Sequence, residues 1–332
     1  MRQENKPAKL EVQRVLRCPM CCADRQSGSI SAVQDWFFRA ASGNWNYDRC
    51  ANCQSLYLDP RPTDLALPDA YRGYYTHQIR SPQSKPETAG IQWRKRVANT
   101  LINSRFGFQL TPALPARIPH VAARVLTGNK LGARYRHFPK LPREARVLDV
   151  GCGSGQFMAK LNEAGVRVYG VDFDQAAVDA ANSLGLDAVS GDITAAKAFG
   201  IRFNAITMNH VIEHVPDVCG TLKSAADLMV QGGFLHLEYP NPAAPSLHKF
   251  GKYWRGLEAP RHICIPSEQA IKQVLLDVGF SKVSFITMNP DPDEHMIEQV
   301  SLAAATKNEP DFLMGSIENS LDPTFLRVLA WK

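Results

Sequence analysis

The chain has 332 residues, of which 45% are hydrophobic and 21% charged, and it carries a formal net charge of +6. This composition excludes an intrinsically disordered chain, and the length allows one full core with an accessory module. The sequence contains no run of 18 apolar residues and no apolar stretch of a secretory signal near its N-terminus, which favours a cytoplasmic protein. Eight cysteines in a reducing compartment favour metal ligation over disulfides.

Residues 1–60 contain two C-x-x-C pairs separated by 28 residues. Two such turns can place four thiolates tetrahedrally around Zn²⁺, and the metal then stabilises a segment too short for a core of its own. Four thiolates leave no open coordination position, so the predicted zinc is structural. Cys22 adjoins the first pair and competes with Cys21 as a ligand. The spacing predicts a zinc-binding knot with the ligands Cys18, Cys21, Cys50 and Cys53.

Residues 61–143 are predicted to form a basic, partly helical connector or cap. Apolar residues at helical spacing predict one helix around Trp93 and Val97 and another around Val121 and Val125. Between residues 77 and 146, fourteen Lys or Arg stand against two Glu. This asymmetry predicts a basic face whose partner is a phosphorylated substrate, an anionic membrane surface or nucleic acid.

Residues 144–332 alternate short apolar runs with amphipathic segments of helical length, a pattern typical of an α/β parallel sheet covered by helices. The predicted strands are Arg146–Val150, Val166–Val171, Ala188–Ser190, Asn204–Met208, Phe234–Tyr239, Val283–Thr287 and Leu326–Ala330. The predicted helices are Gln156–Ala164, Gln175–Leu184, Gly220–Val230 and Ser267–Val278. A proline-rich loop, residues 241–266, follows the fifth of these strands and is long enough to carry function.

The first of these strands ends in a G-x-G-x-G turn formed by Gly151, Gly153 and Gly155. Glycines let the backbone turn sharply and approach a ligand closely. A dinucleotide site would instead read G-x-G-x-x-G and hold a pyrophosphate, so this spacing departs from that fingerprint. Asp149 directly precedes the turn, where a carboxylate can bind the cationic amino end of a methionine moiety.

Two further acids follow the next two strands in order. Asp172, followed by Phe173, ends the second strand and is placed to accept hydrogen bonds from both ribose hydroxyls. Asp192 offers a carboxylate to an adenine amino group, and Ile193 offers an apolar side chain to the ring. The ordered set of a glycine turn and two acids predicts a nucleoside-type cofactor site.

These motifs, together with Asn209–Asp217 (NHVIEHVPD) and Gly232–Pro242 (GGFLHLEYPNP), resemble the class I methyltransferases and their large bacterial branch. The resemblance implies a Rossmann-like seven-stranded sheet whose last strand is antiparallel. An N-terminal knot followed by residues 59–62 and 71–75 resembles methyltransferases that modify sugars in glycan pathways. The family implies S-adenosylmethionine bound by Asp149, Gly151, Gly153, Gly155, Asp172, Phe173, Asp192, Ile193 and Asn209.

Transfer of a methyl group from a sulfonium to oxygen or carbon needs alignment of the acceptor and a general base. His262, in the loop 241–266, is the predicted base, because ligands of open parallel sheets lie beyond the carboxyl ends of the strands. Glu258 is predicted to orient it. An alternative is that His262 and Arg261 only fasten the loop.

His210 is expected to border the methyl-transfer pocket. The close spacing of His210, Glu213 and His214 could also suggest a metal site, but no H-E-x-x-H pattern is present and the family resemblance implies that this segment lines the cofactor.

The predicted acceptor is a small molecule, a sugar or a lipid-linked glycan, methylated on oxygen or carbon, and a phosphate or a membrane surface would meet the basic segment. The alternative is a zinc-knot protein that binds nucleic acid, or an RNA methyltransferase, with a cofactor-sensing Rossmann-like domain. The aromatic residues of the basic segment are scattered rather than set as a stacking platform, which argues against nucleic acid.

Overall fold

A computed structural model describes residues 7–24, 26–71, 89–115, 118–287, 294–315 and 322–332. Residues 72–75 of the predicted sugar-methyltransferase motif lie outside these ranges. So do several members of the basic segment, namely Arg80, Lys85 and Arg117.

The chain folds into thirteen strands and eight α-helices over the described residues. The strands are β1 (Val12–Gln13), β2 (Gln26–Val33), β3 (Trp45–Cys50), β4 (Leu56–Leu58), β5 (Arg61–Pro62), β6 (Arg146–Val150), β7 (Arg167–Asp172), β8 (Asp187–Ser190), β9 (Phe203–Asn209), β10 (Met229–Pro240), β11 (Cys264–Ile265), β12 (Lys282–Phe285) and β13 (Phe325–Trp331). The helices are α1 (Ala89–Phe106), α2 (His120–Arg134), α3 (Gln156–Glu163), α4 (Gln175–Ser183), α5 (Val218–Leu228), α6 (Pro245–Phe250), α7 (Glu268–Asp277) and α8 (Glu294–Asn308).

A seven-stranded sheet has the order β12-β13-β10-β9-β6-β7-β8. Strands β6, β7, β8 and β9 pair in parallel, and β13 runs antiparallel to β12. The central strands are buried on both faces, as parallel strands between helices must be, and their sequences are accordingly apolar. The α/β class and the antiparallel last strand are confirmed.

Contacts between residues divide the chain into two units. One unit contains residues 1–75, 209–226 and 237–331, and it includes a four-stranded sheet with the order β11-β4-β3-β2. The other contains residues 76–208, 227–236 and 332, and it includes β6 to β8 and helices α1 to α4. The predicted division at residues 60 and 143 stays a prediction.

The predicted elements of the sheet region differ from the structure mainly at their ends. Helix α5 begins at Val218 because the side chain of Asp217 accepts a hydrogen bond from the amide of Gly220. Strand β10 begins at Met229, five residues before its predicted start. No helix in the described part of the chain is long and apolar enough to cross a membrane.

Candidate functional site

The glycine turn lies between β6 and α3. Gly151, Gly153 and Gly155 have φ values of 70°, 53° and 80°, a region that side-chain-bearing residues rarely adopt. A Cβ atom on Gly155 would also lie 2.6 Å from the side chain of Leu186. The turn therefore needs glycine at these positions both for its backbone angles and, at the last one, for space.

Asp149 is buried at the end of β6 and is held by a residue that sequence reasoning did not select. Its Oδ1 accepts a 2.5 Å hydrogen bond from Arg136, which also donates to Thr207 and stacks 3.7 Å over the ring of Phe157. Asp149 Oδ2 is buried without a hydrogen-bond partner among the described residues. Burial raises the pKa of Asp149, and the charge of Arg136 opposes that shift. The free oxygen provides an acceptor for a cationic ligand group.

Asp172 at the end of β7 is oriented by two backbone amides. Its Oδ2 accepts from the amide of Gly153 at 2.8 Å, and its Oδ1 accepts from the amide of Asp174 at 3.0 Å. Each carboxylate oxygen can accept more than one hydrogen bond, so two hydroxyl donors can still bind. The same carboxylate thus fixes the glycine turn and presents acceptors at the carboxyl end of the strand.

The remaining cofactor candidates lie at the ends of neighbouring strands. Asp192 is exposed and caps a short 3₁₀ helix by accepting from Thr194, whereas Ile193 is buried. Phe173 has 57% of its surface exposed. Asn209 ends β9, and its Oδ1 is buried with no hydrogen-bond partner in the described chain.

The cysteine pairs converge on one point in the N-terminal region. The sulfur atoms of Cys18, Cys21, Cys50 and Cys53 all lie within 4.8 Å of one another, with Cys18 to Cys53 at 3.6 Å and Cys21 to Cys50 at 3.5 Å. Zn–S bonds of about 2.3 Å in a tetrahedron give similar sulfur spacing. Cys22 is exposed and outside this group, which favours Cys21 as the ligand.

We predict one zinc ion per chain at this cluster. Metal analysis of protein purified without added zinc should find it, and a Cys50→Ser/Cys53→Ser variant should lose it because half of the ligands are gone. The Cys22→Ser variant, which changes an exposed neighbouring thiol, should keep full metal content. Zinc lost from Cys22→Ser but kept in Cys21→Ser would contradict the assignment.

Arg261 fastens the loop 241–266 to the N-terminal segment of the same unit. Its fully buried guanidinium donates to both oxygens of Asp35 at 2.6 and 3.0 Å and to the carbonyl of Ala70 at 3.0 Å. Its Nε donates to Glu258 at 3.0 Å, and Arg255 pairs with the second Glu258 oxygen. The fastening role considered for Arg261 is therefore supported by geometry.

His262 is buried with its ring orientation fixed. Its Nδ1 lies 2.8 Å from the carbonyl oxygen of Gly256, so Nδ1–H donates and the lone pair is on Nε2. Nε2 lies 3.9 Å from carboxylate oxygens of both Glu213 and Glu258, beyond hydrogen-bond range. Burial and the neighbouring His214 lower the pKa of His262 well below its usual value. The carbonyl of Gly256, rather than Glu258, makes the hydrogen bond that orients this ring.

Two other titratable side chains in the same unit, His210 and Tyr239, could act as the base in place of His262. His210 Nδ1 lies 3.2 Å from Glu213; burial opposes protonation of His210, but Glu213 outweighs it and raises the pKa of His210. Tyr239 is buried, its hydroxyl has no partner among the described residues, and burial raises its pKa well above 10.

Residues 127–284 match the family model of a methyltransferase domain. This part of the chain is similar to methyltransferase domains. The glycine turn, Asp172 and the loop 241–266 all lie within the matched residues, whereas the cysteine cluster precedes them.

Two curated relatives are named ubiquinone biosynthesis O-methyltransferase. The protein of Ralstonia nicotianae is 35% identical over 95 residues, which make up 26% of this chain and 40% of that protein. The protein of Xanthomonas oryzae pv. oryzae is 32% identical over 158 residues, covering 44% of this chain and 59% of the relative. The chain thus spans only about half the length of these relatives.

A crystal structure of an S-adenosylmethionine-dependent methyltransferase from Archaeoglobus fulgidus also matches. The match has a TM-score of 0.42 and 21% identity, and it covers 61% of this chain and 94% of that one.

Proposed function

We propose that the protein transfers a methyl group from S-adenosylmethionine to oxygen or carbon of a small-molecule acceptor. The observation that carries the proposal is the arrangement at the ends of β6 and β7. A turn that requires glycine lies beside one carboxylate with an unpartnered oxygen and a second carboxylate oriented by backbone amides.

The side chains fit the groups of this cofactor. Asp149 Oδ2 would accept from the cationic amino group, and Arg136 would offer a guanidinium to the carboxylate of the methionine moiety. Asp172 would accept from the ribose hydroxyls, and Asp192 and Ile193 would hold the adenine. Phe173 and Asn209 are the further candidates for cofactor contacts. The adenosylmethionine sulfonium supplies the methyl group.

We assign activation of the acceptor to His262, whose Nε2 carries a lone pair at neutral pH. A neutral imidazole can remove the acceptor proton as the bond to the methyl carbon forms. Glu258, held by Arg255 and Arg261, keeps the loop in place around this ring, and His210 is the second candidate for the proton.

For the acceptor we propose a sugar or a lipid-linked glycan intermediate. The support is the surface of α2, where exposed apolar residues lie close to the exposed Arg124. Helices that bind to a lipid surface combine apolar and basic residues in this way. The exposed apolar residues are Val121, Val125 and Leu126. Incubation of lysate fractions with labelled cofactor, followed by mass spectrometry of the products, identifies the acceptor.

The Asp172→Ala variant should bind adenosylmethionine about 10- to 150-fold more weakly than wild type. Loss of hydrogen bonds to a charged acceptor costs about 1.5–3 kcal/mol, and the variant also releases the amide of Gly153. Isothermal titration calorimetry measures the change.

The matched control is Asp187→Ala, an exposed aspartate on the neighbouring strand β8. It should bind the cofactor as wild type does. Wild-type affinity in Asp172→Ala would refute the ribose contact, and a wild-type chain that does not bind adenosylmethionine would refute the proposed function.

A further inference from the structure

Glu213, His214 and His262 form a second group of side chains with metal-ligand chemistry, separate from the cysteine cluster. One ligand atom from each residue lies within 4.8 Å of the other two. Glu213 and His214 follow β9, and His262 lies just before β11, so the fold brings the three together from distant parts of the sequence. The imidazole rings of the two histidines meet edge to face, with centroids 4.6 Å apart.

In both histidines Nδ1 faces a backbone carbonyl, which leaves Nε2 as the nitrogen that can bind a metal ion. His262 Nδ1 donates to the carbonyl of Gly256. His214 Nδ1 lies 3.1 Å from the carbonyl of Arg261 and 2.9 Å from the hydroxyl of Tyr71. A carbonyl oxygen can only accept, and the hydroxyl of Tyr71 can accept as well, so the proton of each neutral ring is assigned to Nδ1 and the lone pair to Nε2. Histidines that bind metals are typically held in this way, with the second nitrogen donating to a carbonyl or carboxylate.

Among the described residues no arginine pairs with the carboxylate of Glu213, whereas two arginines pair with Glu258. Glu258 is paired with Arg255 and Arg261, whereas Glu213 Oε1 lies 3.2 Å from Nδ1 of His210. Glu213 is fully buried, and its Oε2 has no hydrogen-bond partner in the described part of the chain. A buried carboxylate oxygen without a partner is costly unless a cation or donor meets it.

The spacing of the ligand atoms suits a cation better than hydrogen bonds. His262 Nε2 lies 3.9 Å from Glu213 Oε1, too far for a hydrogen bond. Metal bonds of about 2.0–2.2 Å to nitrogen and oxygen put neighbouring ligand atoms roughly 3–4 Å apart. His262 Nε2 and Glu213 Oε1 are therefore separated by about the distance that a bound metal ion requires, and the ligand atom of His214 lies within 4.8 Å of the other two.

We propose that Glu213, His214 and His262 bind one divalent transition-metal cation. Two imidazoles and one carboxylate form a ligand set that suits Zn²⁺, Fe²⁺ and Mn²⁺ and leaves coordination positions open. These open positions distinguish the site from the closed set of four thiolates.

The role of this cation rests on the proposed function, although its binding does not. An acceptor hydroxyl at an open position would release its proton to water more readily, because a bound cation stabilises the oxygen anion. While the cation is bound, Nε2 of His262 is a ligand, and the cation takes over acceptor activation. The general-base role of His262 applies to the metal-free protein.

Mn²⁺ titration of protein that holds one zinc ion per chain, at the four thiolates, tests the site, because Mn²⁺ prefers nitrogen and oxygen ligands and leaves the thiolates to zinc. Electron paramagnetic resonance of the free ion gives stoichiometry and affinity without cofactor or acceptor. Wild type should bind one Mn²⁺ per chain. Glu213→Gln and His262→Ala should bind it at least about 100-fold more weakly, since even second-shell partners contribute about 10- to 100-fold.

The His248→Ala variant is the matched control, because His248 is an exposed histidine of the same loop. It should bind Mn²⁺ as wild type does. Glutamine has nearly the shape of glutamate, so the Glu213→Gln variant is expected to fold, and a cooperative thermal transition verifies this. It therefore keeps the test valid if His262→Ala fails to fold. Wild type that binds neither Mn²⁺ nor a second Zn²⁺, or Glu213→Gln with wild-type affinity, would overturn the inference while leaving methyl transfer untouched.

Discussion

In protein without a metal ion at Glu213, His214 and His262, replacing His262 with alanine is expected to lower the turnover of methyl transfer by about 10²–10⁴-fold, the usual contribution of a general base. The Nε2 lone pair, fixed by the Nδ1 hydrogen bond to Gly256, is lost with the ring. The affinity for adenosylmethionine should hardly change, because the cofactor candidates are other residues. Steady-state kinetics with the identified acceptor and calorimetry with the cofactor separate the two effects.

The control is again His248→Ala, which should turn over at the wild-type rate. Near wild-type turnover in His262→Ala would move the base to His210 or Tyr239. The Mn²⁺ titration then distinguishes the two roles of Nε2. If Nε2 is a metal ligand, the His262→Ala variant binds Mn²⁺ more weakly than wild type; if it is only a base, the Mn²⁺ affinity of the variant is unchanged.

The strands of the seven-stranded sheet could be predicted because their information is local. Arg146–Val150 is an apolar run between polar residues and was predicted with the bounds of β6. The start of β10 was predicted late, since Met229 and Val230 continue the apolar pattern of the preceding helix. The sequence at Met229 and Val230 fits both a helix and a strand, and pairing with neighbouring strands of the sheet makes it a strand.

The loop 241–266 shows what local patterns cannot reveal. It contains α6, which begins at Pro245 as proline at a first helical position allows, and the two-residue strand β11. β11 pairs with β4, about two hundred residues away in the sequence. A two-residue strand is too short to show an alternating pattern in the sequence, so this pairing could not be predicted.

The candidate sites also divide into residues that local sequence spacing predicts and residues that only the fold brings together. Asp149, Asp172 and the cysteine pairs were predictable because spacing along the chain reports their geometry. Arg136 was not selected, since one arginine among fourteen basic residues carries no signal until the fold puts it on Asp149. The sequence suggested at most a metal site of His210, Glu213 and His214. The group of Glu213, His214 and His262 was not predicted, because His262 joins the other two only in three dimensions.

The second large effect is expected at Asp35, where Asp35→Ala should lower the free energy of unfolding by about 3–5 kcal/mol. The substitution leaves the buried guanidinium of Arg261 without its bidentate partner and removes an acceptor for the amides of Phe38, Ala40 and Ala41. Burial alone would raise the pKa of Asp35, but Arg261 and these amides lower it overall. Its contribution is therefore present at neutral pH and is lost as the pH falls through that lowered pKa. Urea denaturation at neutral and acidic pH measures both effects.

Asp24→Ala is the control, since this exposed aspartate of the same N-terminal segment should change stability by less than about 0.5 kcal/mol. The double variant Asp35→Ala/Arg261→Met adds a sharper test. Removing both charges leaves no unpaired guanidinium, so the double variant should lose less stability than the sum of the single variants. Strict additivity, or a loss below about 1 kcal/mol in Asp35→Ala, would mean that the buried ion pair does not fasten the loop that carries His262.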